Sequence, residues 1–362
     1  MSPSPTIPAS HRIRVLMVDD SPLSLELLRR LLAGDPEINL VGTAHNGHEA
    51  LTKLVQLVPD VLCTDLHMPG MDGVTLTREV MRRHPLPILV MSTSLQESQK
   101  DNIFAMLEAG AVDILAKPLG GLDNDYAKMA RDLILKIKVL SGVKVVKRYG
   151  SQTVPPPPIG QQPIDLPELQ GKTPKVICIG ASTGGPQALD QILKALPRNF
   201  PLPIVCIQHI ATGFMQGMVD WLSCICKIKV RTARTGMRPE PGTTYFPEDD
   251  HHLEIDQDGL FRSSLSPTVS DHRPSIDLAM RSFARHYRDR VAGILLTGMG
   301  KDGAEGLLEI SRAGGLTIAQ DEATSVVFGM PRWAAEIGAA RIILPLSQIA
   351  PTLLRLTGGK TV

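Results

Sequence analysis

No apolar run in this sequence reaches the roughly 18 residues that a membrane-crossing helix needs. The first ten residues are rich in proline and serine and lack the basic stretch and apolar core of a secretory leader. A cytoplasmic protein with no membrane insertion is therefore expected. An excess of either charge is also missing, since 38 Lys and Arg stand against 37 Asp and Glu. That balance gives no electrostatic footprint for nucleic acid, and no such partner is expected. Cysteines are few and odd in number: Cys63, Cys178, Cys206, Cys224 and Cys226. Runs such as VICIG and IVCIQ place several of them as reduced core thiols. Cys224 and Cys226 form a CxC pair, but no second pair completes a four-ligand zinc site.

What is present reads as ordinary globular protein. Of the 362 residues 43% are hydrophobic and 21% charged, and at roughly 100–200 residues per domain two domains are expected. From residue 12 to about 129, short apolar runs (IRVLMV, NLVGTA, VLCT, PILVMS, AVDILA) alternate with helix-period stretches such as SLELLRRLLAG. Five β-α repeats of this kind predict a five-stranded parallel sheet with helices on both faces. A basic amphipathic stretch over 126–146 reads as a connector, and Pro155–Pro158 as a stiff extended linker. The expected boundaries are a first domain over 12–129, a linker over 130–173 and a second domain over 174–360. The second series (KVICIG, PIVCIQ, VAGILLT, GLTIAQ, RIILPL, with a hairpin around YFPEDDHHLEI) predicts a doubly wound, mainly parallel α/β domain.

Acidic residues close two strands of the first domain: Asp19 and Asp20 follow IRVLMV, and Asp65 follows VLCT. Open α/β sheets bind ligands at carboxyl ends of strands. Three carboxylates gathered there need a cation, and a hard divalent ion with oxygen ligands suits them. Ser92 adds a hydroxyl, and Lys117, before Pro118, an ammonium that can meet a phosphoryl oxygen. A cis Lys117–Pro118 bond would suit such a turn. The succession DD, DLHMPGMDG, MST and KP resembles bacterial response-regulator receiver domains, which have a flavodoxin-like fold. The resemblance implies that Asp65 accepts the phosphoryl group. It further implies that Mg2+ is held by Asp19 (through water), Asp20, Asp65 and the backbone carbonyl of His67. Ser92 and Lys117 would be the switch residues, and a chemotaxis histidine kinase the phosphodonor system.

In the second domain IGASTGGP puts Ser182 between a strand and a helix that Pro186 can open. Free N–H groups at such a helix start favour a developing oxyanion. The run also fits GxSxG, a weak signal alone, while the GxGxxG order of a dinucleotide loop is missing. PIVCIQ delivers His209, and VAGILLT runs into GMGKDGAEG with Asp302. A serine needs a base to take its proton and a carboxylate to orient that base, which these three residue types supply. The chain order Ser, His, Asp differs from that of α/β-hydrolases. His251 and His252, beside Asp249 and Asp250, read as a solvated turn rather than a metal site.

IGASTGGP, QHI, HRPSID, LLTGMGKDGAEG and AQDEATSVVFGMP together resemble the CheB family, the response-regulator methylesterases of chemotaxis. The resemblance implies Ser182 as nucleophile, His209 as base and Asp302 as orienting acid. Backbone amides near Thr183 and Met299 would be the oxyanion donors, and the hydrolase would need no cofactor. It implies hydrolysis of glutamyl methyl esters on methyl-accepting chemoreceptors, with release of methanol, and deamidation of receptor glutamines. ATGFMQ after QHI and Trp333 after GMPR depart from the family pattern at the rim, where receptor preference would be set. Met299 and Met330 are candidates to line the groove. The receiver is expected to restrain the hydrolase until phosphorylated. Two other classes stay open: a binding regulator with a vestigial triad, and a general serine peptidase or esterase.

Overall fold

Apolar runs covered on both faces form the first sheet. Its strands are β1 (Ile13–Val18), β2 (Ile38–Ala44), β3 (Val61–Asp65), β4 (Ile88–Ser92) and β5 (Asp113–Ala116), with β3 and β4 buried along their whole length. The helices between them are α1 (Pro22–Leu32), α2 (Gly47–Leu57), α3 (Gly73–Arg83) and α4 (Lys100–Ala109). The computed structural model describes residues 12–92, 100–117, 123–143, 145 and 173–358. The Lys117–Pro118 bond and the Pro155–Pro158 run lie outside them.

The start of α1 is fixed by Ser21, whose side chain accepts the Ser24 N–H, and the helix buries Leu25, Leu28 and Leu32 at helical spacing. Asp72 caps α3 through the Thr75 N–H. All strands are parallel, in the order β2-β1-β3-β4-β5. The chain moves outward from β1 to β2 and then back to β3, so the switch point lies between β1 and β3. α5 (Asp123–Ser141) runs on past residue 129 and buries Met129, Leu133, Ile137 and Leu140. Its Lys136 pairs with Asp113, and its Lys138 with Asp35 at 2.8 Å.

The second unit is built on seven parallel strands: β6 (Val176–Ala181), β7 (Ile204–Gln208), β8 (Lys229–Thr232), β9 (Thr243–Phe246), β12 (Val291–Leu295), β13 (Leu316–Gln320) and β14 (Ile342–Leu344). Their order is β14-β13-β12-β6-β7-β9-β8. Winding outward from β6 to one side and from β12 to the other puts the switch point between β6 and β12. The helices are α6 (Gly185–Lys194), α7 (Met215–Ile225), α8 (Ile276–Tyr287), α9 (Ala304–Arg312), α10 (Met330–Glu336) and α11 (Leu346–Leu356). α8 packs against α9 and buries Ala279, Met280 and Phe283, while α9 buries Leu307 and Ile310.

The expected hairpin around YFPEDDHHLEI is not formed. Its first half is β9, a strand of the large sheet parallel to β7 and β8. Its second half, β10 (His252–Ile255), pairs antiparallel with β11 (Phe261–Ser264) in a separate two-stranded sheet. The EDD turn thus joins two sheets instead of closing one ribbon. Cys63, Cys178 and Cys206 are buried free thiols in β3, β6 and β7, and burial pushes Cys63 and Cys178 up to about 12. Cys224 is exposed. No described helix is long and apolar enough to cross a membrane.

Candidate active sites

In the first unit the switch-point crevice receives Asp19 and Asp20 from the end of β1 and Asp65 from the end of β3. One carboxylate oxygen from each lies within 4.8 Å of the other two. Asp19 is 1% exposed and Asp65 9%, while Asp20 faces solvent. Lys117, just past β5, reaches both buried acids, with Nζ 2.6 Å from Asp19 Oδ2 and 2.8 Å from Asp65 Oδ2. Asp19 also accepts the Ser21 N–H and the Ser24 hydroxyl, and Asp65 Oδ1 accepts the Leu66 N–H. Burial pushes the Asp65 carboxyl above its ordinary range; Lys117 pulls it back and the Asp19 charge adds to the rise. Ser92 is buried at the end of β4, and its carbonyl accepts the Lys117 N–H. His67 is exposed two residues past β3. Three carboxylates thus face one ammonium, and this all-oxygen set with its excess of two negative charges fits a divalent hard cation.

In the second unit Ser182 directly follows β6, His209 directly follows β7, and Asp302 lies in the loop after β12. The turn after β6 is tight: Gly184, at φ +75°, caps α6, Pro186 sits in its first turn, and the Gly185 N–H returns to the Ser182 carbonyl. A Cβ on Gly184 would strike Val326 at 2.6 Å, so the turn needs glycine for space as well as for φ. Thr297 pins the other side. Its carbonyl accepts the Ser182 N–H, and its hydroxyl donates to the Thr183 carbonyl.

His209 Nε2 lies 2.9 Å from Asp302 Oδ2, and its Nδ1 is buried without a hydrogen-bond partner. The Asp302 bond places a proton on Nε2 and leaves Nδ1 as the acceptor nitrogen. Asp302 is 3% exposed. Its Oδ1 accepts the Ser275 hydroxyl and the Asp277 N–H, and its Oδ2 accepts the Ile276 N–H. These donors form the N-terminus of α8, where the helix dipole favours an anion. Burial alone pushes Asp302 up, but the His209 bond and charge and the two backbone N–H groups outweigh it and hold the carboxyl below its ordinary value.

Asp277 returns the arrangement, its Oδ1 accepting the N–H groups of Gly303 and Gly306 at the start of α9. Burial pushes Asp277 above its ordinary value; the Gly306 N–H opposes this and the Asp302 charge adds to it. The ring of His272 stacks on His209 with centroids 3.9 Å apart. Asp249 accepts the Gly213 N–H, and Asp250 forms a double hydrogen bond with Arg273, so the EDD turn fastens the loops beside His209 and Ser275. Met299 follows Gly298, where a Cβ would lie 2.7 Å from the Ser182 Cβ. Met330 is fully buried, and its sulfur would stand 2.4 Å from that same Cβ.

Sequence reading put His252 in a solvated turn, whereas it is fully buried in β10. Its Nε2 bonds the Pro267 carbonyl and its Nδ1 accepts the Ser275 N–H, so it props the start of α8. Ser275 and Asp277 lie in the HRPSID run, but their bonds to Asp302 and to α9 cross more than 20 residues of chain, and local patterning carries no trace of them. The Ser-x-x spacing at a helix start was the available signal for Ser275 as a cap, and its side chain does accept the Leu278 N–H.

The fold and the two strand-end clusters define a class: a parallel α/β unit with an acidic pocket, joined in one chain to a second parallel α/β unit with a Ser/His/Asp rim. The family model described as CheB methylesterase matches residues 177–353, and that of the response regulator receiver domain matches residues 15–123. A Syntrophus aciditrophicus protein named protein-glutamate methylesterase/protein-glutamine glutaminase 1 is 41% identical over 96% of this chain and 99% of its own. A Pseudomonas aeruginosa protein named protein-glutamate methylesterase/protein-glutamine glutaminase 2 is 40% identical over 95% of this chain and 96% of its own. The crystal structure of the Thermotoga maritima CheB methylesterase catalytic domain aligns with 51% of this chain and 98% of that one, at 38% identity and a TM-score of 0.49. The chain belongs to the CheB methylesterase family and carries a receiver domain.

Proposed function

We propose that this chain hydrolyses glutamyl methyl esters on chemoreceptors, deamidates receptor glutamines at the same site, and is controlled by phosphorylation of Asp65. The observation that carries the hydrolase reading is the His209 ring. Nε2 is engaged by a buried carboxylate, and Nδ1 is a buried nitrogen with no partner beside the turn that bears Ser182. Ser182 Oγ attacks the ester carbonyl carbon as Nδ1 takes its proton, and Asp302 steadies the imidazolium. The tetrahedral oxyanion is met by backbone N–H groups near Thr183 and Met299; among the described residues the Met299 N–H donates to no other group. The alkoxide leaves as methanol with the proton from His209. Water, deprotonated by the same nitrogen, then cleaves the acyl-serine to the glutamate carboxylate. A glutamine amide follows the same course with ammonia leaving.

In the receiver, Asp19, Asp20, Asp65 and the His67 carbonyl would hold Mg2+, which supplies charge neutralisation for the incoming phosphoryl group. Asp65 takes that group from a histidine kinase system, Lys117 meets a phosphoryl oxygen and Ser92 reads its presence. A serine-reactive phosphonate tests the hydrolase reading. Mass mapping is expected to find the adduct on Ser182 in the native chain and none in His209→Ala. An unlabelled Ser182 would favour a regulator that only binds its partner.

A further inference from the structure

Gln208 closes β7, one residue before His209, and the residue is 1% exposed. Its single Nε2 donates twice, to the Ser182 carbonyl at 2.8 Å and to the His209 carbonyl at 2.7 Å. Both partners are acceptors, so only the nitrogen end of the amide can face them, and the orientation is set by the network. The other end is left bare: Oε1 is buried with no hydrogen-bond partner. A buried acceptor in that condition is disfavoured, and an apolar side chain of similar size would avoid it.

The opposite flank of the sheet shows what a fully satisfied amide looks like. Gln320, ending β13, accepts the Thr297 N–H through Oε1 and donates to the Thr324 carbonyl through Nε2. Gln208 instead commits its donor to two carbonyls and leaves its acceptor unused. Room for it is made by Gly185, where a Cβ would lie 2.0 Å from Oε1.

We propose that Gln208 is a positioning residue that fixes the nucleophile turn and the base to one another. This rests on the reading of Ser182 and His209 as nucleophile and base. The Ser182 N–H side of the turn is held by Thr297, and its carbonyl side by Gln208. The same amide holds the backbone of His209, so two strand ends move as one piece. Reacting groups held in register are worth far more than the bonds that hold them, and a displacement of about 1 Å costs up to about 100-fold in rate.

The test measures methanol release from methylated receptor membranes and phosphonate labelling of Ser182, in the full chain, for Gln208→Met, Gly185→Ala and Ser182→Ala. Gln208→Met keeps the volume and removes both donors. Gly185→Ala keeps the Gln208 side chain but drives a Cβ into its amide at 2.0 Å from Oε1, and also to 2.8 Å from the Ala181 Cβ. Both are expected to lower kcat about 10- to 100-fold and to slow labelling by a similar factor, with KM little changed. Should Gln208→Met fail to fold, Gly185→Ala carries the comparison alone. A kcat within twofold of native in the folded variants, with Ser182→Ala inactive, overturns the clamp. Full activity in Ser182→Ala would instead remove the hydrolase reading beneath it.

Discussion

Asp65, at the carboxyl end of β3, and Asp302, in the loop past β12, both serve strands that flank a switch point, yet they are stabilised by different partners. Asp65 and Asp19 share the ammonium of Lys117, on a long single-bonded stem. Asp302 is held by the N–H groups of Ile276 and Asp277 and by the Ser275 hydroxyl, all fixed in the first turn of α8. A carboxylate facing an ammonium can exchange that partner for a cation or carry a phosphoryl group. A carboxylate enclosed by backbone stays put, which suits a group whose work is to orient an imidazole. Burial pushes both carboxyls up, but the Lys117 ammonium leaves Asp65 above its ordinary value, whereas His209 and the α8 N–H groups hold Asp302 below it.

The largest effect that could break this comparison is at Ser182. Ser182→Ala is expected to lower ester hydrolysis by about 1,000,000-fold while leaving phosphorylation of Asp65 intact, as read by methanol release and by phosphoprotein mass analysis. Asp302→Asn comes next, with a fall of about 10,000-fold in kcat. Its amide nitrogen would oppose donors that now meet oxygen, so a drop in Tm should accompany the loss. Unchanged Tm would contradict the enclosing role of α8. In Asp65→Asn the response to a small phosphodonor with Mg2+ should vanish; a coupling of ordinary size makes that response about 5- to 150-fold.

Acid sharpens the contrast further. Because Asp302 is depressed in the folded chain, its stabilisation is complete above the unfolded carboxyl value of about 3.9 and is lost as pH falls through the lower folded value. Asp277 runs the other way: its ionised form is disfavoured by burial, a penalty relieved as pH falls through its raised folded value. Melting curves taken down through this range should therefore fall more steeply for the native chain than for Asp302→Asn, and more steeply for Asp277→Asn than for native. Parallel curves would show that neither carboxyl contributes as described. The smallest expected change lies outside both sites. Asp72→Ala removes the α3 cap and should cost about 1 kcal/mol in the first unit's stability, with hydrolysis unaffected.

Strand ends were the legible part of this chain. IRVLMV is β1 residue for residue, and the runs VICIG, IVCIQ and LTIAQ fall within or along β6, β7 and β13, because buried parallel strands are written as continuous apolar segments. The acids, the serine and the histidine that follow such runs therefore had a place before any coordinates. β8 had no such mark: KVRT buries only Val230, as a short edge strand does. His252 was misplaced because its burial comes from the packing of β10 on α8, not from its neighbours in sequence. Gln208, Ser275 and Asp277 were invisible as supports for the same reason, since each acts on a residue brought near by the sheet.

The most direct measurement is methanol release from methylated chemoreceptor membranes by the native chain, Ser182→Ala and Asp65→Asn, each with and without Mg2+ and a small phosphodonor. The account predicts release that needs Ser182 and rises with phosphodonor only when Asp65 is present. Release that persists in Ser182→Ala, or no release from the native chain in either state, would contradict it.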